Sequence, residues 1–192
     1  MDDWICSQSR KVHQRKGARQ DPGNGYRLIS SSLHGGGNMG YCYKKATVGD
    51  IELLTETRIE VLRAANKLSD DVDMSEVRAK SRAYYAEALL NGDHTAYLVF
   101  DGDNFIGAGG VSYFRVMPTY HNPSGRKAYV MNMYTRPAYR RQGVSFYTLQ
   151  LLLQDAREKG IRHVSLEATE MGRPLYEKAG FHPMQDEMEL LL

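Results

Sequence analysis

Between His94 and Met117 the spacing of apolar residues turns from helical to strand-like, which commits the chain to a fold built around a sheet. "HTAYLVF" and "NFIGAGGVSYFRVM" read as strands, and the Asp-Gly pair of "DGDN" between them is a tight hairpin signal. The two strands are expected to lie antiparallel. A loop carrying proline and glycine, "PTYHNPSG", leads to a further strand, "KAYVMNMYT".

On either side of these strands the period is helical. "YCYKKAT" is a short strand, and Thr47 is placed to cap a helix from about Val48 to Leu68, in which Ile51, Leu54, Ile59 and Leu62 recur at helical spacing. "SDDVD" breaks that pattern. Ser75 then caps a second helix through Tyr84, Tyr85, Ala88 and Leu89, stopped by Asn91-Gly92. A third helix buries Leu149, Leu152, Leu153 and Ala156 and stops at Gly160. A strand "HVSLEA", a short helix around "PLYEKA", Gly180 and a terminal strand in "EMELLL" follow. This order describes a mixed α/β domain with a central sheet.

With 192 residues, 42% of them hydrophobic, the chain has material for one ordinary domain. A net charge of +2, with no long run of like charge, argues against nucleic acid as a partner. Cys6 and Cys42 are the only cysteines and read as two reduced thiols. No apolar run reaches secretory or bilayer-spanning length, so we expect no membrane association and a cytoplasmic protein. The six histidines lack metal-ligand spacing and no Gly-x-Ser-x-Gly elbow occurs, so neither a metal nor a covalent enzyme intermediate is expected.

Residues 1–40 are polar and aperiodic and read as an N-terminal extension, disordered or non-native, ahead of one domain at 41–192. Asp2, Asp3 and Asp21 are outnumbered there by Arg10, Lys11, Arg15, Lys16, Arg19 and Arg27. A solvated tail accounts for this surplus, and an arm for an anionic partner is the alternative. The triplets for Gly35-Gly36-Gly37-Asn38 have room for a ribosome-binding purine run, so the natural start is expected at Met39.

"YTRPAYRRQGVSFYTLQLLL" carries the chain from a strand end at Tyr134 through the turn Arg140-Arg141-Gln142-Gly143-Val144-Ser145 into the third helix. A helix N-terminus holds unpaired N–H groups and about half a unit of positive charge, and so attracts anions. Gly143 permits close approach to the backbone, Ser145 is small, and Arg140 and Arg141 add donors suited to phosphate. The plainer alternative is a solvated basic turn before a core helix. Neither a Walker-type loop nor a GxGxxG dinucleotide loop is present.

Over residues 41–192 the order of elements, with "VMNMYTRPAYRRQGVS" and "LYEKAGF", resembles the GNAT superfamily of N-acetyltransferases. Arg140, Gly143 and Ser145 match the family's pyrophosphate loop, with serine where the family has glycine or alanine. The resemblance implies a mostly antiparallel central sheet, helices on both faces, and a splayed pair of parallel strands, here Val130–Tyr134 and Val164–Ala168. The pantetheine arm of the cosubstrate acetyl-CoA would pair with backbone groups freed between them. The coenzyme-binding residues it implies are Met131, Asn132, Met133, Tyr134, Arg140, Arg141, Gln142, Gly143, Val144, Ser145 and Thr169. Many relatives carry asparagine where Thr169 stands, a departure that weakens the side-chain contact there.

The same resemblance sets Tyr176 beside the thioester sulfur. A phenol of pKa about 10 is protonated at neutral pH and can protonate the departing thiolate; a packed aromatic is the plainer alternative. Glu167 or Glu170, near the end of the splayed strand, is placed to take a proton from the attacking amine, directly or through water. The acceptor, a small-molecule or peptide amine, is expected to enter beside the first two helices and the "PTYHNPSG" loop, where Asp70, Asp71 and Asp73 attract a cation. The expected function is N-acetyl transfer to a primary amine by direct attack in a ternary complex; the alternative is a non-catalytic acyl-CoA sensor or partner domain. Many relatives pair through C-terminal strands, so the apolar "EMELLL" permits a homodimer.

Overall fold

The computed structural model describes residues 4–6, 40–185 and 187–190. Six strands, β1 (Trp4–Cys6), β2 (Cys42–Lys45), β3 (His94–Asp101), β4 (Asn104–Arg115), β5 (Arg126–Thr135) and β6 (His163–Leu166), form one sheet in that order. All neighbours are antiparallel except β5 and β6, which run parallel. The helices are α1 (Ile51–Asn66), α2 (Ser75–Asn91), α3 (Val144–Glu158) and α4 (Arg173–Lys178).

The run "AYLVF" in β3 explains why helices cover both faces. Tyr97 and Val99 pack with Leu149 and Leu152 of α3, while Ala96 and Leu98, on the other face, pack with Leu54 of α1 and Tyr85 of α2. A strand buried on both faces has to read as a continuous apolar run. Leu149 and Leu152 are fully buried, each contributing about 1.5–3 kcal/mol of transfer free energy. The predicted inner face of α3 is observed whole, since Leu153 and Ala156 are also buried. Among the described residues no helix is long and apolar enough to cross a membrane.

Several expectations change. Thr47 does cap, with a capping box to Asp50, but the turn it opens is a 3₁₀ turn at Val48–Asp50 that precedes α1. Ser75 does not cap α2, which starts from Met74 without a side-chain cap; the Asp73 carboxylate, one residue earlier, accepts from the Ser75 backbone N–H at 2.8 Å. "EMELLL" forms no strand at residues 187–190, where Met188 and Leu190 are exposed and no described residue pairs with the outer edge of β6. Within the segment expected to be unstructured, residues 4–6 pair with β2, which otherwise would be an edge strand. The rest of 1–39, including Met39, lies outside the described residues. The β1–β2 register sets Cys6 opposite Cys42, and Cys42 is disulfide-bonded, which removes the argument from reduced thiols to a reducing compartment.

Candidate active site

The parallel ladder of β5 and β6 runs from Lys127 opposite His163 to Val130 opposite Leu166 and ends there, although β5 continues to Thr135. Val130 and Val164 therefore belong to the paired part, and the divergence expected from Val130 begins at Met131 and Glu167. Its cause lies in β5. The register against β4 shifts between Ala108 and Gly110, and Asn132 adopts a left-handed backbone with φ 55°. That is a bulge, which bends the strand and re-aims its side chains. Met131 takes the Ser112 hydroxyl at 3.7 Å, Met133 lies against Gly109 on the α3 side, and Tyr134 is buried toward α1, donating to Glu60. The Asn132 side chain is buried, and its Oδ1 has no hydrogen-bond partner. A polar ligand threading the gap would satisfy such an atom.

Beyond Thr135 the chain enters α3 through a turn held from several directions. Arg140 Nε donates to the Thr135 carbonyl at 3.2 Å, and the Ser145 and Thr135 hydroxyls meet at 2.7 Å. Arg141 is exposed and left-handed, with φ 63°, and Gly143 follows with φ 86°. Val144 is buried and anchors the helix start against the sheet. No side chain caps α3, so the N–H groups of its first turn remain for an external acceptor. A Cβ at Gly143 would meet nothing within 4 Å. The turn therefore offers open backbone donors, a helix dipole and guanidinium charge, which fits a pyrophosphate.

On the other side of the gap, Tyr176 of α4 lines a cavity of ~200 Å³ with Val164, Leu166, Ala168 and Phe181. It is 9% exposed, its ring meets Phe181 edge-on with centroids 6.0 Å apart, and its hydroxyl has no hydrogen-bond partner among the described residues. Burial pushes its pKa upward. Such a phenol is protonated at neutral pH. The hydroxyl of Thr169, expected at the pantetheine arm, accepts from the Gly172 N–H at 3.2 Å in the turn into α4.

The face covered by α1 and α2 carries a polar row that sequence reasoning missed. His94, Ser112, Tyr129 and Ser165 are successive cross-strand partners on β3, β4, β5 and β6. Paired residues share a face of the sheet. Tyr84 of α2 places its hydroxyl against Ser112 Oγ and, at 3.2 Å, His94 Nδ1. Burial and then contact with Glu167 push the Tyr129 phenol up to about 12. Glu167 thus bears on Tyr129, and both Glu167 and Glu170, farther along the chain, are exposed. Asp71 and Asp73 are held below the usual carboxylate range, Asp71 by the Ser69 hydroxyl and Asp73 by the Ser75 N–H; Asp70 is exposed. The signal for Tyr129 was its alternation with Ala128 and Val130; its partners across the sheet are a matter of register.

Residues 62–181 match the acetyltransferase (GNAT) family model. Among solved structures, the chain is similar to a predicted acetyltransferase from Clostridium acetobutylicum, crystallised with acetyl-CoA, at 30% identity and TM-score 0.73 over 79% of this chain and 96% of that one. It also shares the fold of a GCN5-related N-acetyltransferase from Ralstonia eutropha, at 23% identity and TM-score 0.70 over 79% of this chain and 99% of that one. The glucosamine-6-phosphate N-acetyltransferase of Arabidopsis thaliana has the same fold at 16% identity and TM-score 0.57, over 79% and 97% of the two chains. The search of curated proteins gives no match. Because the family match runs through the diverging strands, the open helix entry and Tyr176, the chain belongs to the acetyltransferase (GNAT) family.

Proposed function

We propose that this protein transfers an acetyl group from acetyl-CoA to a primary amine by direct attack within a ternary complex. The observation that carries this reading is the gap that opens between β5 and β6 past Val130 and Leu166, with the uncapped start of α3 at one side and Tyr176 at the other. The pyrophosphate is held by the first N–H groups of α3, with Arg141 and Gly143 at the turn. The pantetheine arm pairs with the β6-facing edge of β5 from Met131 to Tyr134, near the unpartnered Asn132 Oδ1.

An ammonium substrate first loses a proton to Glu167, directly or through water. The neutral nitrogen then attacks the thioester carbon, a C–N bond forms, and the C–S bond breaks. Tyr176 gives its proton to the leaving thiolate and is re-protonated by the proton the nitrogen sheds. The products are an amide and free coenzyme A, with the first proton released to solvent.

Tyr176→Phe tests this assignment. The expected outcome is a fall in kcat of about 10²- to 10⁴-fold with coenzyme affinity retained. Unchanged turnover would remove Tyr176 from the mechanism. Coenzyme binding without stimulated thiol release by any amine in the unsubstituted protein would turn the reading toward an acyl-CoA sensor.

A further inference from the structure

Arg58 stands apart from the other arginines at the contacts of α1 and α2. Arg63 donates to the carbonyls of Ser69 and Val72, Arg78 pairs with Glu56, and Arg82 pairs with Glu52 at 2.6 Å. Arg58 is half-buried and makes no hydrogen bond or ion pair among the described residues. It follows Leu54 by one helical turn, on the face of α1 that packs toward the sheet. Its charge is felt by Tyr85, His94 and Tyr129, members or neighbours of the polar row on that face. A guanidinium that has given up part of its hydration without gaining a partner is a donor set waiting for an acceptor.

The opposite charge lies close by. Glu167 and Arg58 both act on the same Tyr129 phenol, one from the mouth of the β5–β6 gap and one from α1. A cation and an anion therefore both bear on the Tyr129 phenol, which shares its face of the sheet with Ser112. A ligand complementary to this arrangement carries an ammonium toward Glu167, where the thioester would lie, and one planar anion toward Arg58. A carboxylate suits the guanidinium fork, which binds it through two parallel N–H donors. A phosphate, with about two negative charges, would need a second free cation. Among the described residues, neither Arg63, Arg78 nor Arg82 is without a partner.

We infer that the acceptor is an amine bearing a carboxylate, of the amino-acid class, and that Arg58 is the residue that reads the carboxylate. This rests on the acetyl-transfer reading for its chemistry, but the binding it describes can be measured without turnover.

The test uses the full chain and matched pairs of amines, each amino acid set against its carboxamide. Thiol release from acetyl-CoA gives kcat and KM, and calorimetric titration of the same amines into protein loaded with coenzyme A gives affinity. The carboxylates are expected to exceed their carboxamides by about 10- to 100-fold in kcat/KM. Arg58→Gln is expected to abolish that preference by raising KM for the carboxylates, leaving the carboxamides and coenzyme affinity unchanged; Arg58→Lys should restore part of it. If no amine releases thiol, the acetyl-transfer reading fails, and the titrations still judge Arg58. Equal handling of carboxylate and carboxamide in both measurements, or equal loss of both in Arg58→Gln, would overturn the inference.

Discussion

Tyr41, next to β2, donates a 2.5 Å hydrogen bond to Oε1 of Gln142, a residue one hundred and one positions away in the turn before α3. Gln142 Nε2 in turn donates to the Ala138 carbonyl at 3.0 Å. The side chain of Gln142, expected at the coenzyme, is therefore engaged within the protein, bracing the loop before α3. Gln142→Ala is expected to weaken coenzyme A by about 3- to 10-fold, since the loop must then be ordered on binding, with a stability loss of about 1 kcal/mol. Calorimetric titration together with urea unfolding checks this. An unaltered affinity would mean the brace serves the fold alone.

Gly143 separates ligand effects from folding effects. Its φ of 86° strains any side chain, yet a Cβ there would touch nothing in the protein. Gly143→Ala should therefore cost only about 1–2 kcal/mol of stability, the left-handed penalty. Coenzyme affinity should fall further, by more than about tenfold, because the new methyl stands where phosphate oxygens approach the N–H groups. Affinity falling no more than stability alone explains would count against the turn as the anion site.

The contrast between these two residues shows what the sequence made legible. Gly143 announces itself, because its place between a basic turn and an apolar helical run has few other uses, and the inner face of α3 followed from spacing alone. The divergence of β5 and β6 starts later than expected because it depends on a left-handed bulge at Asn132, a conformation that asparagine allows but does not dictate. The row of His94, Ser112, Tyr129 and Ser165 was hidden for a related reason: four strands contribute one residue each, and register is fixed only when the sheet assembles. Of the terminal "EMELLL", the described residues 187–190 have the composition of a strand but no strand partner among the described residues.

Gly110 is required by His94. A Cβ at Gly110 would stand 2.7 Å from His94 Nε2 and 2.9 Å from Cε1, and the ring is held by Tyr84, Tyr85 and Ser112. Gly110→Ala should destabilise by about 1–3 kcal/mol through overpacking. His94→Ala will also destabilise, but it opens the space, so the double variant should be more stable than the sum of the two losses implies. Thermal unfolding of the four proteins completes the cycle. Strict additivity would show that the two residues do not conflict.

His94 also makes stability depend on pH. Burial, and then the charge of Arg58, lower its pKa from 6.5 to about 4, so the folded protein holds the ring neutral while the unfolded chain protonates it below about 6.5. Between these values the unfolded state binds more protons, which makes stability rise with pH. The contribution is present above 6.5 and is lost as pH falls toward 4. Relative to pH 7, the loss should be about 2 kcal/mol at pH 5 and about 3 kcal/mol at pH 4. The exposed carboxylates of Asp71 and Asp73, held below their ordinary value of 3.8, act only lower on the scale. Urea unfolding between pH 4 and 8 should show the slope, and His94→Gln, which cannot titrate, should flatten it while lowering stability at pH 7. The same slope in both proteins would place the acid sensitivity elsewhere in the fold.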